Sequence, residues 1–316
     1  MKFSLVATPY NLRESAGWVW RNVFGPTRKN TCNIRSIPQS HTLNTTSRLN
    51  CRIVFVGDMM PMKEHMLSIG QSVKDFIKDA DYLVGNFEGT ITDSKSRGAL
   101  VRFDEKHNRG VIDILSGLSS PERIFLSVAN NHSGDFGEEE FFKSVRMLEA
   151  GRFKVFGWDE KPYIETGGGI RMIGGTAWSN RRFSRVSDMD STGKNIRPGA
   201  FNILLPHFGY ELELYPRPEI VILAKGLIQK FDAIVASHPH TPQPVASETT
   251  DGFNKLIAYS LGTFFGASSS WKYQYGIILK AEVGNDESAG MLFGKIEWRN
   301  TRCEPLPGGG FLVRMN

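Results

Sequence analysis

The sequence predicts an α/β fold, and three observations carry that prediction. From residue 52 short apolar runs alternate with stretches of helical periodicity, which is the pattern of strands wrapped by helices. The residues best suited to chemistry fall just past the ends of those runs. No internal repeat or low-complexity tract interrupts the alternation.

Taken in order, the runs RIVFV at 52–56, YLVG at 82–85, RIFLSV at 123–128, FNILLP at 201–206, DAIVAS at 232–237 and KLIAYSL at 255–261 read as buried strands. Helices are expected at 66–79, at 138–150 with its closing glycine, and at 218–230, where Pro218 suits the first helical position. After residue 270, YGIILKAEV and GMLFGKIEW read as an antiparallel hairpin that finishes one edge of the sheet. The stretch 177–199 lacks apolar periodicity, and a loop of that length in a compact domain is a candidate lid.

At 316 residues and 40% hydrophobic content the chain can bury a sizeable core. No apolar run approaches the roughly 18–20 residues that span a bilayer, and no cleavage site is evident, so a soluble, cytoplasmic protein without a transmembrane segment is expected. Cys32, Cys51 and Cys303 have no ligand-like spacing and read as reduced structural thiols. The net charge of +5 is local: residues 1–50 hold seven Lys/Arg and one acid, while 51–316 hold 31 and 32. Scattered bases mixed with GWVWRNVF favour a segment that packs on a domain over a nucleic-acid arm. The expected organisation is a basic N-terminal extension at 1–50, a domain at 51–300 and a C-terminal tail at 301–316.

Asp58 follows the first strand, Glu88 the second, Asn131 and His132 the third, His207 the fourth, and His238 with His240 the fifth. Parallel strands end together, so the loops after them converge on one edge where ligands bind. Two carboxylates, an amide oxygen and three imidazoles form a mixed oxygen and nitrogen set suited to Mn, Fe, Zn or Co, as one or two ions, and too rich in nitrogen for Ca or Mg. His132 is left as an acid/base group. His41, His65 and His107 lie in no comparable place and are taken as surface residues.

With those residues in hand, the chain resembles the CapA family, the capsule or poly-γ-glutamate biosynthesis proteins of the calcineurin-like metallophosphoesterase superfamily. The resemblance rests on FVGDMM at 55–60, GNFEGTITD at 85–93, ANNHSGDFG at 129–137, HFGYELELYP at 207–216, SHPHTPQPV at 237–245 and YSLGTFF at 259–265. It implies a layered α/β/β/α sandwich of the metallo-dependent phosphatase type. It also implies that Glu88 bridges two metal positions, one completed by Asp58 and His240, the other by Asn131, His207 and His238, with His132 as general acid. Two departures stand out. The superfamily commonly has Asp-x-His where this chain has Asp58-Met59-Met60, and Thr263 stands where an Asn is expected.

The residues and the resemblance leave three readings open. The first is a metal-dependent hydrolase or transferase acting on a phosphate ester or an amide-linked polymer or peptide, with His132, Asp58 and His207 at the chemistry. Asn130, Arg102, Glu211 and Thr263 are candidate substrate contacts, and Arg181, Arg182 and Arg185 can meet an anionic substrate. The second is a metal-independent peptide Cα epimerase on the same fold, drawing its acid/base pair from Asp58, His132, His207 or His240, with Asn130, Asn131 and Arg102 facing the enolate. The third is a non-catalytic accessory protein of polymer biosynthesis that binds an anionic polymer or a synthetase partner through residues 1–50.

Overall fold

The computed structural model describes residues 10–95, 104–178, 185–288 and 290–316. Five strands bear the site: β1 (Arg48–Met59), β2 (Tyr82–Phe87), β3 (Ile124–Ser127), β4 (Phe201–His207) and β5 (Ala233–Val235). The first three are parallel neighbours in a sheet of 10 strands, and the last two are parallel neighbours in a sheet of 6. Parallel pairing sends their C-terminal ends to one side of each sheet, which is what gathers the site.

The described helices are α1 (Leu12–Phe24), α2 (Gln71–Ile77), α3 (Val111–Ser116), α4 (Glu138–Ala150) and α5 (Pro218–Ile228). Successive strand residues point to opposite faces, so each sheet has an inner and an outer apolar surface. Ile53 and Phe55 of β1 meet Phe201 and Ile203 of β4 between the sheets. Val54 and Val56 face the other way, into a cluster with Val73, Val111, Phe141, Val145 and Leu148 of α2, α3 and α4. On the far side Leu204 and Ile234 pack on Ile220, Val221, Ala224 and Ile228 of α5. The result is four layers, α/β/β/α, as the resemblance implies. The sequence of α4 favours its helix at both levels: Glu138, Glu139 and Glu140 fill the first turn, where the helix dipole favours negative charge, and the buried positions recur at helical spacing.

Four expectations are corrected. The helix expected at 66–79 is split: Leu67–Ile69 is a strand paired in parallel with Phe311–Val313, and α2 starts only after Gly70. Sheet pairing there overrides local helical propensity. The hairpin Tyr275–Asp286 and Gly290–Pro305 does not lie at an edge, because its first strand pairs with β1 and its second with the final strand. Residues 301–316 are therefore no tail, since they complete Gly290–Pro305 and form Phe311–Met315. His107 is not a surface residue: it is 1% exposed and stacks on Phe87.

Of the N-terminal segment, Ser40–Thr42 pairs with Lys295–Glu297 of the larger sheet, and α1 docks by polar side chains on residues that follow β4. Arg217 bridges Glu14 of α1 and Glu213, and Arg21 meets Glu213 at 3.3 Å. Of the apolar residues in GWVWRNVF, Val19, Trp20, Val23 and Phe24 are exposed, while Trp18 is part-buried against Glu211, so the segment packs on the domain through only part of that stretch. Among the described residues no helix is long and apolar enough to cross a membrane.

Candidate metal centre

Asp58 is brought to the edge by an irregularity in β1. The register against β2 shifts between Phe55 and Asp58, and Asp58 donates its backbone N–H to Gly262 O at 2.8 Å. That approach requires glycine at 57, where a Cβ would lie 1.9 Å from the same carbonyl oxygen. His238 and His240 stand on left-handed backbone, at φ 101° and 54°, which non-glycine residues adopt at a cost. The turn aims both imidazoles at the carboxylates, and His238 N–H donates to Asp58 Oδ2 at 3.2 Å.

All six expected ligands converge. Asp58, Glu88 and His240 form one group whose donor atoms lie within 4.8 Å of one another, and Glu88, His207 and His238 form another. Glu88 belongs to both. Its Oε1 lies 3.7 Å from His207 Nε2, 3.7 Å from His240 Nε2 and 3.9 Å from His132 Nε2. Asn131 Oδ1 is 2.6 Å from His207 Nε2, which joins it to the second group. Glu88 is fully buried, and its Oε1 has no hydrogen-bond partner among the described residues.

Electrostatics set the charge states. Burial raises the Glu88 pKa well above the usual carboxylate range, and the neighbouring charges of Asp58 and Glu105 push the same way. His207 and His238 are driven well below the usual imidazole range by burial and by the other histidines, so both are neutral. His240 is raised: burial opposes its charge, but Asp58 Oδ2 at 3.0 Å outweighs it. His132 shows the same contest, with burial lowering it and Asp135 lifting it to about 9. Its Nδ1–H donates to Asp135 Oδ2 at 2.7 Å, and its side chain keeps 14% exposure.

The expected substrate contacts fare differently. Asn130 is a scaffold residue: its Nδ2 donates to Asn86 Oδ1 and Phe87 O, and its Oδ1 accepts from His132 N and Ser133 Oγ. Glu211 is held by the N-terminal segment, accepting Trp18 Nε1–H at 2.6 Å and giving its backbone oxygen to Arg21 Nε–H. Thr263 registers beside Asp58 and is 1% exposed, its hydroxyl without a partner among the described residues. Arg102, Arg181 and Arg182 lie outside the described residues, as do 179–184 of the expected lid, whereas its remainder packs on the domain, with Val186, Ser187 and Thr192 buried and Met189–Asn195 a short helix. Arg185 pairs with Glu138 and Glu160 at the surface.

Three residues of the site were not singled out from the sequence. Asn86 Nδ2 donates to Asp58 Oδ1 at 2.8 Å and to Glu88 Oε2 at 3.1 Å, tying the carboxylates together. Ser237 Oγ lies 3.0 Å from His207 Nδ1. Tyr10, buried at 7% exposure beside Trp178 and Tyr210, places its hydroxyl 2.7 Å from His238 Nε2. Asn86 and Ser237 sit within two residues of ligands, which is the one cue the sequence held.

Comparison with known proteins gives the family. The family model described as bacterial capsule synthesis protein PGA_cap matches residues 52–172 and 179–267. The PGA biosynthesis protein CapA of Bacillus subtilis (strain 168) is 26% identical, over 66% of this chain and 62% of that protein. The capsule biosynthesis protein CapA of Bacillus anthracis is 22% identical, over 67% of this chain and 59% of that protein. The chain thus spans less than two thirds of the length of these relatives. Among solved structures, a hypothetical protein from Thermus thermophilus has a TM-score of 0.45 at 14% identity, covering 79% of this chain and 99% of that one. The calcineurin-like phosphoesterase YfkN from Bacillus subtilis has a TM-score of 0.39 at 15% identity, covering 79% and 90%. The family model takes in every residue of the candidate centre from Asp58 to His240, and the chain belongs to the CapA family of bacterial capsule synthesis proteins.

Proposed function

We propose that the chain is a metal-dependent hydrolase or transferase acting on a phosphate ester or an amide-linked polymer of the capsule type. One observation carries the reading: a fully buried carboxylate, Glu88, holds an oxygen without a hydrogen-bond partner among the described residues at the meeting point of two donor groups. A buried carboxyl whose ionisation is opposed by burial and by a second carboxylate is stabilised as an anion by a cation, and the imidazole-rich donor set fits Mn, Fe, Zn or Co. Asn131, His207, His238 and Glu88 would hold one ion, and Asp58, His240 and Glu88 a second. Met60 offers no imidazole to the latter, so the former is the stronger position. Bound there, such ions supply a Lewis acid and an activated water.

The chain's own residues do the rest. Asp135 keeps His132 protonated at neutral pH and turns its Nε2 toward Glu88, so His132 delivers a proton to a leaving oxygen or nitrogen. Asn86 holds Asp58 and Glu88 in fixed relation, which preserves the spacing of the two positions. The relatives named for PGA and capsule biosynthesis support a polymer of that kind as the substrate class.

The test is the metal content of the purified protein, followed by turnover of a generic phosphate ester with and without chelator. One or two transition ions per chain and chelator-sensitive turnover support the reading. A protein that binds no transition metal and epimerises a peptide Cα would replace it.

A further inference from the structure

Tyr10 stands 228 positions before His238, yet its hydroxyl oxygen is 2.7 Å from that ring's Nε2. Which atom carries the proton follows from the groups behind it. Asn86 presents its NH2 to Asp58 Oδ1 and Glu88 Oε2, and its carbonyl oxygen accepts from Asn130 Nδ2, so the amide orientation is fixed. The same NH2 also lies 3.3 Å from His207 Nδ1, but both its protons go to the carboxylates, so it does not decide the state of that nitrogen. In the metal-free chain the proton of His207 sits on Nε2, because the amide oxygen Asn131 Oδ1 at 2.6 Å can only accept; with an ion held there the proton would move to Nδ1, facing Ser237 Oγ at 3.0 Å. Ser237 Oγ beside Nδ1 is a hydroxyl and can donate there as readily as accept.

His238 Nδ1 faces that N–H at 3.1 Å and is therefore bare, which puts its own proton on Nε2, toward Tyr10. The hydroxyl accepts it, accepts Glu211 N–H at 3.2 Å as well, and turns its single proton to Glu211 Oε1 at 3.5 Å. Every donor in the chain then has an acceptor. Trp18 and Arg21 of α1 fix Glu211 in turn.

We propose that Tyr10 is a positioning residue for metal binding: by accepting the Nε2 proton of His238 it keeps Nδ1 of that ring bare and turned toward the point shared by His207, Asn131 and Glu88. This rests on the metal reading of the site. A ligating imidazole binds through a lone pair, and the partner of its other nitrogen sets which lone pair is offered. The N-terminal segment is on this view part of the centre, since Tyr10 and both residues that fix Glu211 belong to it.

The test uses the full chain and two readouts. Tyr10→Phe keeps the ring between Trp178 and Tyr210 and removes only the oxygen; Glu211→Ala keeps Tyr10 but removes the acceptor for its proton, freeing the hydroxyl to donate to Nε2. Long-range proton–nitrogen spectra of the metal-free histidine rings should give His238 as the Nε2–H form in the parent chain and a shift toward Nδ1–H in both variants. Zinc titrated alone by calorimetry should bind roughly 10-fold more weakly to each. Thermal unfolding confirms that a variant is folded, and either one suffices if the other is not. An unchanged ring signature, or zinc affinity equal to or above that of the parent, overturns the proposal. A parent chain that takes up no zinc defeats the metal reading itself, an outcome distinct from a parent that binds zinc as tightly as its variants.

Discussion

Replacing His132 by alanine should separate proton transfer from ligand binding. The variant removes the imidazole and leaves Asn131, His207 and Glu88 in place, so metal content should hold while phosphate-ester turnover falls by roughly 10²–10⁴-fold. Elemental analysis beside the kinetics decides it: metal lost in step with activity would make His132 a ligand. His107 offers a different measurement. Buried and donating Nε2–H to Glu88 O at 2.9 Å, it titrates at about 4 where an exposed imidazole takes its proton near 6.5. Above 6.5 both folded and unfolded chains leave it neutral. Between 6.5 and 4 only the unfolded chain binds the proton, so stability falls as the pH falls, by roughly 3 kcal/mol in all. His107→Gln keeps a donor to Glu88 O without titrating, and urea unfolding of the variant should lack that share of the slope. The candidate ligands could be picked out because each follows an apolar run. His107 was not, because the segment around it has no apolar periodicity and its burial comes from the Phe87 ring.

At the scale of elements the bend in β1 should be the most sensitive point of the scaffold. Gly57→Ala sets a methyl group against Gly262 O, and the strand must move to admit it. We expect a loss of roughly 3 kcal/mol in urea unfolding together with loss of metal, since Asp58 is carried by the same bend. A variant with parent stability would show that the bend relaxes freely. The docking of α1 depends on Arg217, which pairs with Glu14 and Glu213 and lies over the Tyr210 ring. Arg217→Ala should lower the local stability of Leu12–Phe24 by about 1–3 kcal/mol, read as faster hydrogen exchange there with exchange in β1 unchanged. Elements with one strong period, such as α4 and α5, were readable from the chain. The strand Leu67–Ile69 was not, because its pairing partner lies about 240 residues away and no local pattern encodes it.

For the molecule as a whole, metal and fold should be linked. The ligands come from both sheets, so an ion held between them binds only the folded chain. At free metal about 100 times its dissociation constant the gain is about 2.7 kcal/mol, and chelator should lower the melting temperature by several degrees. A melting temperature indifferent to chelator would mean that the ion is not held across the sheets. The four layers could be anticipated from alternation and resemblance, but the role of residues 10–24 could not. Their polar contacts are made to residues such as Glu211, Glu213 and Arg217, which are remote in sequence and carry no mark of it.

That remoteness has a consequence for how the protein is made. During synthesis α1 leaves the ribosome long before Glu211 and His238 exist to receive it. At about 5–20 residues per second the interval is on the order of tens of seconds, during which Glu14, Trp18 and Arg21 have no native partners to meet. The segment that closes the centre is translated well before the residues it docks on and must be among the last to settle. A nascent chain arrested before His238 should therefore leave α1 open to protease, while one extended past Thr263 should protect it.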